Sequence, residues 1–548
     1  MYIYLATYTG SRIKRNFGSV SFSGFSTMHG SKKSFLSPVK VILEYEGGKH
    51  SFSQLSEQMS YEDVTVRLSM PVPGDDGQLA ITVTADTTPV TALRIRWKGQ
   101  TNPGDTFMGD YWFGTSGGSQ WRTMDPFRRF PWYFLCRSSE STLGCGVKVR
   151  PGAFAVWQMD PAGVNLYLDL RCGTRGVILN GRTLEAATVV VRQYSLAARA
   201  AAHAFCAELS PDQILPSLPV YGCGSSYMDA GTISHEGILK NADMLSRLAE
   251  GLTNRPYQIV DCGWEKQREW GAAPCGPWNS GNDRFPDMPG LASSLHNLGI
   301  RPGISLRLLC DSNSALPDVW HLQRDSRFLD PSMPGVLEHI SADIQRMSEW
   351  GYELIKHVST TTDCLGAEWR PRHDGPAWSF NDRSRTTAEI LIELYRTIRA
   401  ARGDALIMAE DVIGHLGAGL MHIARVSRDP EDAVSWEEIQ QSRVNALAFR
   451  LGQNGTFFSI DTGELPVTSA TPWKEVKNLA KLLSVSGASM FLSFQKSSMT
   501  PAVMREAANL FYNASLGDSS LYPTDWLKNT CPEQWDANGT QLTFKWFS

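Results

Sequence analysis

Short apolar runs separated by turn residues fill the first 200 or so positions. Val41-Ile42-Leu43, Val64-Thr65-Val66-Arg67-Leu68, Leu79-Ala80-Ile81-Thr82-Val83 and Ala92-Leu93-Arg94-Ile95-Arg96-Trp97 mix alternation with β-branched residues. Further runs lie near 147–149, 166–170 and 189–191, and clusters such as Pro73-Gly74-Asp75-Asp76-Gly77 interrupt the series. Many short strands with turn signals between them predict a β-sandwich-like N-terminal domain over 1–200.

The rhythm then changes. An alanine-rich helix from Leu196 to Leu209 and the linker Leu215-Pro216-Ser217-Leu218-Pro219 lead into a region where strand-like and helix-like segments alternate. The strand candidates are 220–223, 257–262, 302–309, 352–358, 405–410, 422–427, 456–461 and 488–494. Between them Val336, Ile340, Ile344 and Met347 recur at helical spacing, and Ser234 is placed to cap the helix carrying Ile238, Leu239, Ala242 and Leu245. Eight βα units predict a (β/α)8 TIM barrel over 220–500, after a helix and linker at 201–219. The remainder, 501–548, is aromatic and turn-rich and reads as a short C-terminal β region.

Composition narrows the function. The 548 residues carry 52 basic and 56 acidic side chains, a net charge of −4, with no Lys/Arg-rich run, so the chain has no electrostatic footprint for nucleic acid. No apolar stretch approaches 18 residues and no membrane role is expected. The apolar patch near the N-terminus precedes its basic residues, the reverse of a signal peptide, and the ten scattered cysteines form no CxxC. Both features predict a cytoplasmic protein with reduced thiols. Cys223, Cys262, Cys275, His235 and His357 match no compact metal-ligand spacing, and no phosphate loop precedes a helix, so neither metal nor cofactor is expected. The 17 tryptophans fit large cores and also sugar clefts, where a ring face lies on the apolar face of a pyranose.

In a TIM barrel the chemistry gathers at the C-terminal strand ends, and the period of two along each strand selects the inward side chains. Asp261, Cys262 and Trp264 close strand two, and strand three carries Arg307. Lys356 and Val358 share a face of strand four, so His357 points away from the axis. Glu410 and Asp411 close strand five, and Arg425, Ser427 and Asp429 are in one phase on strand six. Buried charges are costly unless paired or used. One reading of these residues is a set of ion pairs bracing the rim; the other is a polar site.

Several segments resemble one family. Tyr257-Gln258-Ile259-Val260-Asp261-Cys262-Gly263-Trp264, Phe285-Pro286-Asp287-Met288, Trp350-Gly351-Tyr352-Glu353-Leu354-Ile355-Lys356-His357 and Asn445-Ala446-Leu447-Ala448-Phe449-Arg450-Leu451 are similar to the α-galactosidases of glycoside hydrolase families twenty-seven and thirty-six, most of all the bacterial family-thirty-six type. Gly109-Asp110-Tyr111-Trp112 and Asp525-Trp526-Leu527 extend the resemblance. It implies a retaining glycosidase acting on small-molecule α-galactosides or related α-glycosides, with self-association as a homo-oligomer. By the same resemblance Asp429 is the acid/base, and Lys356 and Arg425 hold sugar hydroxyls. Asp261 grips the 4- and 6-hydroxyls, Trp264 forms an aromatic wall, and Arg307 is a further substrate-binding position. Asp411 or Glu410 reads the 2-hydroxyl. Trp112 and Trp121 are candidates for an N-terminal loop reaching the cleft.

Two positions depart from the family pattern. Val358 stands where the family has its nucleophilic Asp, and valine can neither attack nor accept a proton. Cys262 stands where a second aspartate is the rule, and a thiol is a poor acceptor. Without its anion, Lys356 is expected to lose proton affinity in a dry site. Three functions remain: a hydrolase that recruits another carboxylate (Asp411, Glu410 or Asp363), an enzyme for a different α-linked sugar, and a catalytically inactive sugar-binding homologue.

Overall fold

The computed structural model describes residues 37–546 except 73–74, 76, 100, 102–103, 112–118, 139–140, 230–232, 267–274, 368, 372–375, 428–434 and 518–519. Asp429 and Trp112 therefore lie outside the described residues.

The N-terminal region is sheet-rich. Alternating burial along Lys40–Tyr45, Gln78–Ala85 and Val90–Lys98 gives each strand one apolar face. The strands assemble into a six-stranded and an eight-stranded sheet, with antiparallel pairing throughout. Their apolar faces share a core: Phe134 of one sheet packs 5.6 Å from Phe130 and 5.9 Å from Trp157 of the other. The helix Ala198–Leu209 follows, its Phe205 lying so close over Gly144 that a Cβ there would sit 2.5 Å from the ring.

A nine-stranded parallel sheet comes next, of the kind found in TIM-barrel-like domains. Its strands are β1 (Tyr221–Cys223), β2 (Tyr257–Val260), β3 (Arg301–Leu306), β4 (Leu354–His357), β5 (Leu406–Ala409), β6 (Ile423–Arg425), β7 (Ser459–Asp461), β8 (Leu465–Val467) and β9 (Met490–Phe494). They lie in the order β7-β6-β5-β4-β3-β2-β1-β9-β8. A parallel bridge also joins Asp461, the last residue of β7, to Ser489, just before β9. The strands are buried almost throughout, as near-continuous apolar runs require. The helices between them follow their sequence signals: Ser234 caps His235–Leu248 by accepting from Gly237 N, and Pro334–Glu349 buries Val336, Ile340, Ile344 and Met347.

Two details differ from the sequence expectation. Chain 456–467 makes two short strands, β7 and β8, separated by residues 462–464, where the sequence predicts one, at 456–461. Chain 501–548 does not open as β structure: Pro501–Leu516 is a helix capped by Thr500, packed against Trp473–Ser484 and His235–Leu248. A three-stranded antiparallel sheet (522–523, 534–537, 540–543) follows it.

The N-terminal sheets are clasped to the parallel-sheet domain. Arg450, at the end of the helix Trp436–Arg450, donates to Asp110 Oδ1 from Nη2 (2.6 Å) and Nε (3.1 Å), and from Nη1 to Val426 O (2.5 Å). Tyr111 donates to the same carbonyl at 3.1 Å. His415 stacks on Trp132, with ring centroids 4.8 Å apart, and its Nε2 lies 2.9 Å from Val147 O. Among the described residues, no helix is long and apolar enough to cross a membrane.

Candidate functional site at the parallel strand ends

The C-terminal ends of β2, β4, β5 and β6 bring four charged groups to one point. Lys356, the penultimate residue of β4, is almost fully buried, and its Nζ lies 2.9 Å from Asp261 Oδ1 and 3.0 Å from Glu410 Oε2. Arg425 Nη1 closes on the other oxygen of Glu410. Asp261 is fixed from behind by Ser225, whose backbone N–H donates to Oδ2 (2.9 Å) while its hydroxyl accepts from Asp261 N (2.9 Å).

The electrostatics follow from this chain of alternating charge. Burial works against the Lys356 ammonium, but Asp261, Glu410 and Glu464 overcome it and hold its pKa well above the ordinary lysine value. The expected fall is thus reversed, because the counter-ion comes from β5 and β2 rather than from position 358. Burial opposes the Glu410 carboxylate too, yet Arg425 and Lys356 pull it down to about 2. The site therefore holds an ionised carboxylate that still has a quarter of its side-chain surface open (26%).

A carboxyl group of the opposite character stands beside it. Glu464, in the break after β7, accepts from the Ser226 hydroxyl (3.0 Å) and from Ser226 N (3.3 Å). Burial and the neighbouring Asp261 raise it to about 8, so it keeps its proton near neutrality. Its carboxyl sits directly over Gly224, where a Cβ would come within 2.1 Å of it. Asp461 at the end of β7 is likewise raised by burial, against the pull of Arg425. Sequence reading passed over both acids. The run Ile460-Asp461-Thr462-Gly463-Glu464 places two carboxyls at a strand end and offered the signal.

The other anticipated residues divide. Cys262 is partly exposed beside the cluster, its Sγ 3.9 Å from Ser305 Oγ, and burial pushes its thiol up to about 12. Val358 directly follows β4, its N–H donating to Leu306 O (2.9 Å). His357 faces away from Lys356, with Nδ1 2.9 Å from Thr360 Oγ1, and burial lowers it to about 4. Among the described residues Arg307 pairs with Asp363, in a two-pronged contact at 2.7 and 2.9 Å, and not with the cluster. Asp411, in a left-handed conformation (φ 63°), turns Oδ2 to Thr362 N at 3.0 Å.

Trp264 offers no wall to a ligand. It is 0% exposed, donates to Ser305 O at 3.0 Å and packs against Trp278 and Trp350. Trp121 is also buried, edge-on to Trp526. A cavity of about 610 Å³ lies at the opposite end of the strands, between the 215–220 linker and residues such as Ser459 and Gly487, away from every carboxyl described above.

No protein-family model and no curated protein matches this sequence. Solved structures do. The α-galactosidase of Thermus thermophilus in complex with p-nitrophenyl α-D-galactopyranoside superposes with a TM-score of 0.57 and 15% identity, over 89% of this chain and 99% of that one. The α-galactosidase of Lactobacillus brevis gives 0.62 and 11%, over 93% and 78%. The chain has the α-galactosidase fold. A variant of the GH36 α-galactosidase AgaA of Geobacillus stearothermophilus in complex with raffinose agrees, with 0.59 and 12% over 91% and 79%. At such identities the likeness is one of fold, and the chemistry has to be argued from the residues.

Proposed function

We propose that this chain is a glycoside hydrolase that removes a terminal α-linked galactose, or a closely related sugar, at the mouth of a (β/α)8 barrel. In this reading β7 and β8 together form the seventh strand, 1–200 is a β-sandwich, and the C-terminal sheet is an appendage. The observation that carries the proposal is Lys356 bridging Asp261 and Glu410, with Arg425 on the far side of Glu410, in a fold shared with α-galactosidases.

Sugars are read by hydroxyl groups that both donate and accept, and a network of carboxylates and cations supplies both partners. Asp261 accepts from hydroxyls at one side of the ring, and Lys356 and Arg425 donate at the other. Asp429 protonates the leaving oxygen. Cys262 gives a weaker acceptor beside Asp261, which makes the 4- and 6-positions the place where the preferred sugar departs from galactose.

The test is a panel of p-nitrophenyl α-glycosides with the native chain. Turnover of the α-galactoside or a stereochemical neighbour is expected. A second reading, a sugar-binding protein without turnover, is favoured by Val358 alone; it predicts a galactose-dependent rise in melting temperature with no p-nitrophenol release from any member of the panel. Neither turnover nor a thermal shift would remove the carbohydrate assignment.

A further inference from the structure

A second group of ionisable side chains gathers where the loop after β3 meets the helix Pro334–Glu349. Asp311 comes from the loop. His339 and Asp343 come from the helix, four residues apart and so stacked on one face. His339 Nε2 lies 2.8 Å from Asp311 Oδ2 and 3.7 Å from Asp343 Oδ2, and one ligand atom from each residue lies within 4.8 Å of the other two. Each carboxylate is anchored by its other oxygen. Asp311 Oδ1 accepts from Asn313 N at 2.8 Å, and Asp343 Oδ1 accepts from Arg346 Nη1 at 2.5 Å. Both acids are almost fully buried, whereas the His339 ring keeps 23% of its surface open.

An ion pair alone does not account for this arrangement. An Nε2–H carries one proton and serves one oxygen, and the short contact goes to Asp311. Asp343 Oδ2 is then buried without a hydrogen bond. The indole N–H of Trp278, in a side chain 1% exposed, has no acceptor either. Trp278 Nε1 and Asp311 Oδ2 both border Gly276: a Cβ there would meet them at 2.9 and 3.1 Å. Arg346 ties the same indole residue to the cluster by donating to Trp278 O at 3.3 Å. Buried polar atoms are rarely left unpaired, and an orphan acceptor and an orphan donor beside one cluster point to a ligand that serves both.

We propose that Asp311, His339 and Asp343 bind a divalent cation of the zinc type, with a water as fourth ligand to which Trp278 donates. The site is separate from the sugar chemistry proposed above and does not depend on it.

Two carboxylates balance the charge of a dication, and a neutral imidazole supplies the nitrogen that favours zinc over magnesium or calcium. Around a tetrahedral zinc, with bonds of about 2.0–2.2 Å, ligand atoms stand about 3.4 Å apart. The 3.7 Å contact is close to that spacing. The 2.8 Å contact opens by about half an ångström once Nε2 gives up its proton and Nδ1 keeps one. The anchored second oxygens are the outer hydrogen bonds that metal-ligating carboxylates keep, and the open ring edge gives the ion its way in. The bound ion ties the loop after β3 to the helix that leads into β4. No local spacing announces the set, because Asp311 lies 28 residues before His339.

The experiment takes the full chain, strips it with EDTA and titrates it with ZnCl₂ and with MgCl₂ by calorimetry. One equivalent of Zn²⁺ is expected to bind, with weaker uptake of Mg²⁺. At a free concentration about a hundred times Kd, the melting temperature should rise by about 5 °C. Co²⁺ in place of Zn²⁺ should give visible d–d absorption without the sulfur charge-transfer band that a site on any of the ten cysteines would show. Asp343→Asn keeps the side-chain shape, and His339→Gln alters a partly open position; each should weaken Zn²⁺ binding about a hundredfold. His339→Gln carries the test if Asp343→Asn fails to fold. A chain with neither saturable heat nor a thermal shift refutes the site, as does a sulfur band with Co²⁺. Affinity that His339→Gln retains within about tenfold, or a preference for Mg²⁺ over Zn²⁺, refutes the imidazole as ligand and the proposal with it.

Discussion

Replacing Lys356 by methionine removes one charge from the centre of the cluster at nearly constant volume. Its Nζ bridges Asp261 at 2.9 Å and Glu410 at 3.0 Å from a side chain 9% exposed. Removing one partner of a buried pair costs about 3–5 kcal/mol, since the other charge stays buried without compensation. Here Arg425 still neutralises Glu410 and Ser225 N still donates to Asp261, so the lower end, about 3 kcal/mol, applies. At about 2 °C per kcal/mol for a large domain, the melting temperature should fall by about 6 °C at pH 7. The pH dependence follows from Glu410, whose folded pKa of about 2 lies below the ordinary 4.5. A depressed carboxylate stabilises the fold above its unfolded value, and that contribution drains as pH falls through the folded one. The native chain therefore loses this term between about pH 4.5 and 2, and the gap between native and variant should narrow at pH 3. Differential scanning fluorimetry at the two pH values measures it. A fall of less than 1 °C at pH 7, or an equal gap at both, would refute the argument that Lys356 balances two buried carboxylates.

Trp264→Ala should cost about 3–5 kcal/mol in denaturant unfolding, because it removes a fully buried indole packed against Trp278 and Trp350; a loss below 1 kcal/mol with a strongly raised KM would return Trp264 to the sugar wall. His357, His415 and His422 are each lowered to about 4, chiefly by burial. Their unfolded forms bind protons near pH 6.5, so the stability they confer is complete above that value and declines between pH 6.5 and 4. The urea midpoint should accordingly drop from pH 7 to pH 5, and a flat midpoint across that range would contradict their burial as neutral rings.

Eight of the nine parallel strands were legible because they are short, largely apolar runs between turn signals; Leu465–Val467 was not among them. Their positions match to within a few residues, and the excess lies mostly at the C-terminal ends, where 261–262, 358 and 410 continue past the last paired residue. The helix Pro501–Leu516 was equally open to reading: Val503, Ala507, Leu510, Phe511 and Ala514 keep helical spacing behind a Thr-Pro start. Its aromatic and turn-rich surroundings mask that spacing. The break at 462–464 carries no periodic signal, and only the closeness of two acids, Asp461 and Glu464, marks it in the sequence. Trp264 was misjudged for a different reason. Side-chain alternation fixes direction only within a strand, and Trp264 lies four residues beyond the end of β2. The partners of Lys356 depend on register between strands distant in sequence. Nothing local encodes that Glu410 stands level with position 358.

The double hold on the Val426 carbonyl limits how far this chain can be treated as separable parts. Tyr111 from the N-terminal sheets and Arg450 from a helix of the parallel-sheet domain both donate to it, one residue beyond Arg425. Excising the first 200 residues would strip Arg450 of its acidic counterpart and leave the end of β6 held from one side only. A shortened parallel-sheet module would then need a redesigned helix before its guanidinium at Arg425 could keep its aim, and grafting a foreign N-terminal unit would retune that aim rather than merely add a neighbour.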